Sequence, residues 1–171
     1  MFDPFENRSS RDIRNQLSEA FLSALKAGKT AQLKKAADAL RKKAPDADHI
    51  SFIDDRLDRY TIVFEQLSPG SWNTPSDDFN TAQLLWEGEL FFECHEWLEP
   101  LWQNASGMEK KALQGLIRAA GAFVLNEADR HAAAASSAEK ALVLIKEGRT
   151  YLPHSFEPQQ LISALESIAS A

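Results

Sequence analysis

Apolar residues along this chain recur at spacings of three and four, the period of a helix with one buried face, and almost nowhere alternate as in a strand. Ser10 to Lys26 places Ile13, Leu17, Ala20, Phe21 and Ala24 on one stripe, and Gly28 supplies a C-terminal cap. Thr30 starts a second helix that reaches Lys43, ahead of Pro45. A third begins near Asp46 or Asp48 and carries Ile50, Ile53, Leu57, Tyr60, Ile62, Val63, Phe64 and Leu67 as its buried positions. Ser68 to Asp77 changes to Ser, Pro, Gly, Asn and Thr, the clearest loop in the chain. A long fourth helix then spans about Asp78 to Gln103, a fifth Met108 to Asn126 and a sixth Asp129 to Glu147. Tyr151 to Pro158 reads as a loop before a short terminal helix. The expected fold is all-α, a compact bundle of about six to seven helices. Residues 1–75 form an N-terminal helical extension in this reading, and residues 76–171 form the core domain.

The fourth helix holds the candidate chemistry. Projected at about 100° per residue, His95 and Glu99 fall inside a broad apolar arc. Leu84, Phe91, Leu98 and Trp102 bound it on one side, and Leu85 and Phe92 on the other; Glu89, Glu93 and Glu96 gather on the face turned to water. Polar groups on an apolar face need a partner, because burying them without one costs several kcal/mol. The i,i+4 spacing lets His95 and Glu99 touch, whereas adjacent Cys94 and His95 point about 100° apart, which argues against a local Cys/His catalytic pair. Gly88 projects beside His95, where the missing side chain leaves room for a backbone or a ligand. Pro100 cannot donate to the Glu96 carbonyl and disfavours helical geometry at Glu99, so a kink or a new turn is expected there. In the fifth helix Leu113, Leu116, Ile117, Ala120, Gly121 and Val124 form the core stripe, with Gln114 and Arg118 at its edge. A short connection makes the two helices antiparallel neighbours. Gln114 is then placed to bond His95 or a ligand, and Arg118 to pair with a carboxylate.

Composition narrows the function classes. With 171 residues, 44% hydrophobic and 26% charged, the chain has the make-up of a globular protein with a substantial core. A net charge of -6 works against general nucleic-acid binding. The single cysteine, Cys94, rules out an internal disulfide framework and a four-cysteine zinc site, and reads as an inert small hydrophobe. The opening residues lack a basic n-region, and the apolar runs fall far short of the roughly 20 residues a bilayer span needs. A soluble cytoplasmic protein is expected, with no nucleic-acid or membrane partner. Lys34, Lys35, Arg41, Lys42 and Lys43 read as a solvated face, and His49, His131 and His154 as exposed residues near helix starts or loops. Ala132 to Ala135 suggests close helix packing or an oligomer contact.

The segment His95-Glu96-Trp97-Leu98-Glu99-Pro100-Leu101-Trp102 resembles the signature H-x-x-x-E-x-x-W/Y of a family, the domain of unknown function numbered 309. Glu93 and Leu113-Gln114-Gly115-Leu116-Ile117 are similar to that family's pattern as well, and the likeness covers roughly residues 80 to 146. The resemblance implies a compact helical domain and a histidine and glutamate that bind metal. Imidazole and carboxylate at i,i+4 suit a divalent transition metal such as zinc, iron, manganese or nickel, but two ligands do not complete a site. The paired Glu-x-x-His motifs of a di-iron bundle and the second histidine of H-E-x-x-H are missing.

Three readings of the pair therefore stand side by side: a metal or ligand site, a bonded network that fixes helix packing, and acid/base catalysis by His95 oriented by Glu99. The candidate set is His95, Glu96, Glu99, Trp102, Gln114 and Arg118, with His95 and Glu99 as the metal ligands. The favoured function is a helical protein with a metal- or small-ligand pocket at His95, Glu99 and Trp102. The alternative is a non-catalytic interaction module that recruits a second copy or another protein, with the His/Glu pair structural. No complete catalytic motif accompanies either.

Overall fold

In a computed structural model the described residues are 1–67, 75–152, 156 and 158–170. They form eight α-helices and no strand, one helix more than the upper end of the expected range. Most of the loop expected from Ser68, and His154, lie outside the described residues. The chain divides into two compact units, Met1–Thr74 and Pro75–Ala171.

The first unit packs α1 (Arg8–Ala27), α2 (Ala31–Lys43) and α3 (Ala47–Gln66) against one another. Asn7 caps α1 by accepting from the Ser10 N–H, and α1 closes at Gly28 in the left-handed region, φ 63°. Its core joins Leu17, Phe21 and Leu25 to Ile53, Tyr60 and Val63, with the Phe21 and Tyr60 rings stacked at 3.7 Å. Ile50 and Ile62, expected inside, are 39% and 53% exposed. The apolar run from Tyr60 to Phe64 covers more than one helical turn, so not all of it faces inward.

His49, expected to be solvated, is buried at 1% exposure. Its Nδ1 lies 2.6 Å from Asp46 Oδ1 and its Nε2 2.9 Å from Ser10 Oγ, which also accepts from the Asp3 N–H. With Nδ1 protonated, the chain of bonds is satisfied at every atom: Asp3 N–H to Ser10, Ser10 O–H to His49, His49 to Asp46. The connectivity is that of a hydrolytic triad. Ser10 is fully buried, however, with its hydroxyl engaged on both sides, so the chain acts as a clamp tying the starts of α1 and α3 to the N-terminal segment.

The second unit places α4 (Pro75–Glu87), α5 (Phe91–Asn104), α6 (Gly107–Glu127), α7 (His131–Gly148) and α8 (Pro158–Ala169) in sequence, each packed on the next. A 3-10 turn, Arg149–Tyr151, follows α7. The expected long helix from Asp78 to Gln103 is two helices, and the break is at Gly88-Glu89-Leu90 rather than at Pro100. Glu89 takes φ 54°, its N–H bonds the Trp86 carbonyl, and the Leu90 N–H reaches back to Leu85 at 2.8 Å. This pair of bonds is a Schellman ending, here built on a non-glycine residue. Pro100 sits inside α5, exposed, and does not end it. Gly88 consequently lies in the turn and shares no helix with His95.

α6 and α7 pack closely, and Ala112, Ala119, Ala120 and Ala122 of α6 and Ala134, Ala138 and Ala141 of α7 are all buried. A Cβ added to Gly115 would fall 2.9 Å from Ile145 Cγ1 and 3.1 Å from the Ile145 backbone nitrogen.

Two stability predictions follow from these contacts. His49→Ala orphans the Ser10 hydroxyl and should destabilise the first unit by about 1–3 kcal/mol in urea titration, since a buried donor loses its acceptor. The His49 bonds also hold the Asp46 carboxyl below its usual range, foremost through the side-chain bond. Lowering a carboxylate pKa in the native state gives stability that is complete above pH about 4 and lost as pH falls through the lowered value, so the variant should show a flatter acid arm. Gly115→Ala, despite its better helix propensity, should lower the melting temperature, because overpacking costs about 1–3 kcal/mol; an unchanged or raised value would show that α7 yields freely.

Candidate functional site

The α4–α5 turn decides which face of α5 remains for chemistry. With α4 folded back, Cys94 donates to the Ala82 carbonyl at 3.4 Å and Trp97 Nε1 to the Asp78 carbonyl at 3.0 Å. Glu93, expected to face water, is 1% exposed. Glu93 occupies the first turn of α5, where a carboxylate meets the positive end of the helix dipole. Cys94 is fully buried; burial pushes its thiol pKa up, and the Glu93 charge adds to the shift.

His95 and Glu99 point to the other side, toward α6 and α7. Together with Trp102 of α5, Gln114, Ile117, Arg118 and Gly121 of α6, and Ser137 of α7, they line a cavity of about 310 Å³. Five of the six residues singled out from the sequence thus meet around one space. The sixth, Glu96, is largely exposed and lies beside the histidine, its Oε1 3.3 Å from His95 Nδ1 without the alignment of a hydrogen bond.

Bonding inside this group is sparse. His95 Nε2 is 3.8 Å from Glu99 Oε1, too long for a hydrogen bond. His95 Nδ1 and Trp102 Nε1 are buried with no hydrogen bond among the described residues, a situation that costs about 1–3 kcal/mol per group. The expected ties from Gln114 to His95 and from Arg118 to a carboxylate are not formed among the described residues. Ser137 Oγ donates to the Arg118 carbonyl at 3.0 Å, joining α7 to α6 behind the cavity. Lys110 Nζ stands 4.8 Å from the Trp102 ring centre, a cation–π contact at the rim.

Ser137, Ile117 and Gly121 are contributors outside the candidate set, Gly121 sharing the core stripe of α6 with Ile117. Ile117 was placed in the core stripe, and Ser137 sits in an alanine-rich helix whose pattern marks no face for it.

The donor set fits a resident metal poorly. Among the described residues no group of three or more His, Cys, Asp or Glu is disposed to hold an ion. His95 and Glu99 supply two donors, and the Arg118 guanidinium on the same cavity wall opposes a divalent cation.

Residues 79–137 match the family model described as Domain of unknown function (DUF309). The matched stretch covers 59 of the 171 residues. It runs from α4 into α7 and contains every residue lining the cavity, ending nine residues before the limit of the likeness read from the sequence. No curated protein and no solved structure matched the chain. Among the described residues no helix is long and apolar enough to cross a membrane.

The burial of Cys94 carries a direct test. Alkylation with iodoacetamide should leave the native protein unmodified for hours and label one thiol per chain in denaturant, because the thiolate is the reactive form; rapid native labelling would contradict the packing of α4 on α5.

Proposed function

We propose that the α5–α6–α7 cavity of the DUF309 domain binds a small organic molecule. One observation carries the reading. Polar and charged side chains from two helices converge on a cavity of about 310 Å³, yet form no bonds to each other across it. A network serving only to fix helix packing needs those bonds, since only bonds between helices could hold them in register, whereas His95 and Glu99 keep 31% and 37% of their side-chain surface open. Here α5 and α6 are held by apolar packing, with Leu98, Leu113, Leu116 and Ile117 buried, and the polar groups are left for something else. The cavity volume sits at the lower end of the range for small-molecule sites, roughly 300–1,000 Å³. Trp102 and Ile117 supply apolar wall, and His95, Glu99, Gln114 and Arg118 supply orientation.

Gly121 offers a variant that closes the cavity and spares the fold. A Cβ there would meet Ser137 Oγ at 4.0 Å and nothing nearer. In an NMR fragment screen against the full chain, shifts should cluster at the Trp102 indole and at the Gly121 and Ser137 amides. Gly121→Leu should abolish them while leaving the melting temperature within a few degrees. Shifts scattered over the surface, or unaffected by this substitution, would remove the proposal. Stoichiometric zinc perturbing His95 and Glu99 in the same screen would replace it with a metal site.

A further inference from the structure

The cavity carries two full charges of opposite sign that are not paired with each other. The Arg118 guanidinium has no ion-pair partner among the described residues, and the ionic neighbour of Glu99 there is His95, at 3.8 Å. Two groups of this kind lining one small space would ordinarily collapse into a salt bridge unless the helices hold them apart. The α5–α6 connection of two residues, Ala105 and Ser106, sets that separation by fixing how α6 returns along α5. Each charge is therefore presented to whatever enters.

We infer, on the reading that this cavity binds a small molecule, that its ligand class is a zwitterion carrying a carboxylate and a protonated amine on a short apolar body. The argument is one of elimination by charge. An anion without a cationic group would meet Arg118 but also face Glu99 as a like charge at close range; a cation alone reverses the conflict. A neutral molecule would displace water from both charged groups and return nothing to either. A molecule bearing both signs satisfies both ends. Arg118 offers the planar fork that matches a carboxylate through two parallel hydrogen bonds. Glu99 accepts from an ammonium.

The neutral groups are compatible with the same polarity. Ser137 Oγ gives its proton to the Arg118 carbonyl, so toward a ligand it acts as an acceptor. The Gln114 amide presents a donor and an acceptor. Trp102 and Ile117 add apolar wall to the same space, which suits a few methylenes or a small branched chain.

The test is calorimetric titration of the full-length chain with the common amino acids singly at millimolar concentration. The best binder is then compared with its analogue lacking the amine and its analogue lacking the carboxyl. The zwitterion should bind at least tenfold tighter than either. Arg118→Gln should bring it to the level of the amine, and Glu99→Gln to the level of the acid, while circular dichroism and melting temperature stay unchanged. Equal binding by the acid alone, with indifference to Glu99→Gln, overturns the inference in favour of an anion site; equal binding by the amine, with indifference to Arg118→Gln, overturns it in favour of a cation site. If no amino acid binds while other compounds still shift the Trp102 indole resonance in a way that Gly121→Leu abolishes, the zwitterion class fails and the pocket stands. If no compound does so, both fail.

Discussion

The backbone turn at Gly88-Glu89-Leu90 is the constraint on which the second unit depends. Holding Glu89 in the left-handed region is unfavourable for a residue with a Cβ, and it persists because two backbone bonds, from Glu89 to Trp86 and from Leu90 to Leu85, close the end of α4 around it. Reversal at this point lays α4 along one side of α5. Cys94 and Trp97 are thereby enclosed and bonded to α4 carbonyls, while His95 and Glu99 keep the opposite side. Were α4 and α5 continuous, the face now covered by α4 would be wet and the cavity face would have no opposing anchor. The same ending, built on Asp129 at φ 55°, closes α6 before α7 begins and so sets where Ser137 stands.

What the sequence makes legible is what depends on local periodicity. The α1 stripe and its Gly28 ending can be read directly, because three- and four-residue spacing and a left-handed glycine act over one or two turns. The convergence of His95, Glu99 and Trp102 with Gln114 and Arg118 is legible for a related reason: an i,i+4 pair, a two-residue connection and a second amphipathic helix leave little freedom in which faces meet. What defeats local reasoning is competition between two helix breakers. Pro100 is the stronger breaker by chemistry, yet both it and Glu96, whose carbonyl loses a backbone donor, lie on the exposed side of α5, where that loss costs little. Gly88-Glu89 is weaker, but ending the helix there lets two apolar faces close on each other.

Tertiary burial accounts for the remaining differences. Glu93 looks like a surface carboxylate when only its own helix is considered, and is buried in the packed chain. His49 looks like a solvated residue at a helix start, although Asp46 three positions earlier is the spacing of an N-cap to its third helical residue, and that local signal was available. The partner that completes the chain, Ser10, lies thirty-nine residues away and has no sequence mark linking it to His49. Ser137 is hidden for the same reason, since its role follows from the register of α7 on α6, which is set by Gly115 against Ile145 and Gly148 against Ala112.

That register bears on function because it separates the requirements of folding from those of the cavity. Close contact between α6 and α7 uses glycine and alanine, whose small side chains hold the backbones together without any help from the polar residues. Packing of α5 on α6 is likewise apolar. The side chains of His95, Glu99 and Arg118 therefore add no cross-helix bonds among the described residues, where two buried nitrogens, His95 Nδ1 and Trp102 Nε1, also remain without hydrogen bonds. Retaining opposite charges around a space large enough for a small molecule, at a position where folding does not use them, is the arrangement expected of groups whose counterpart arrives from outside the chain.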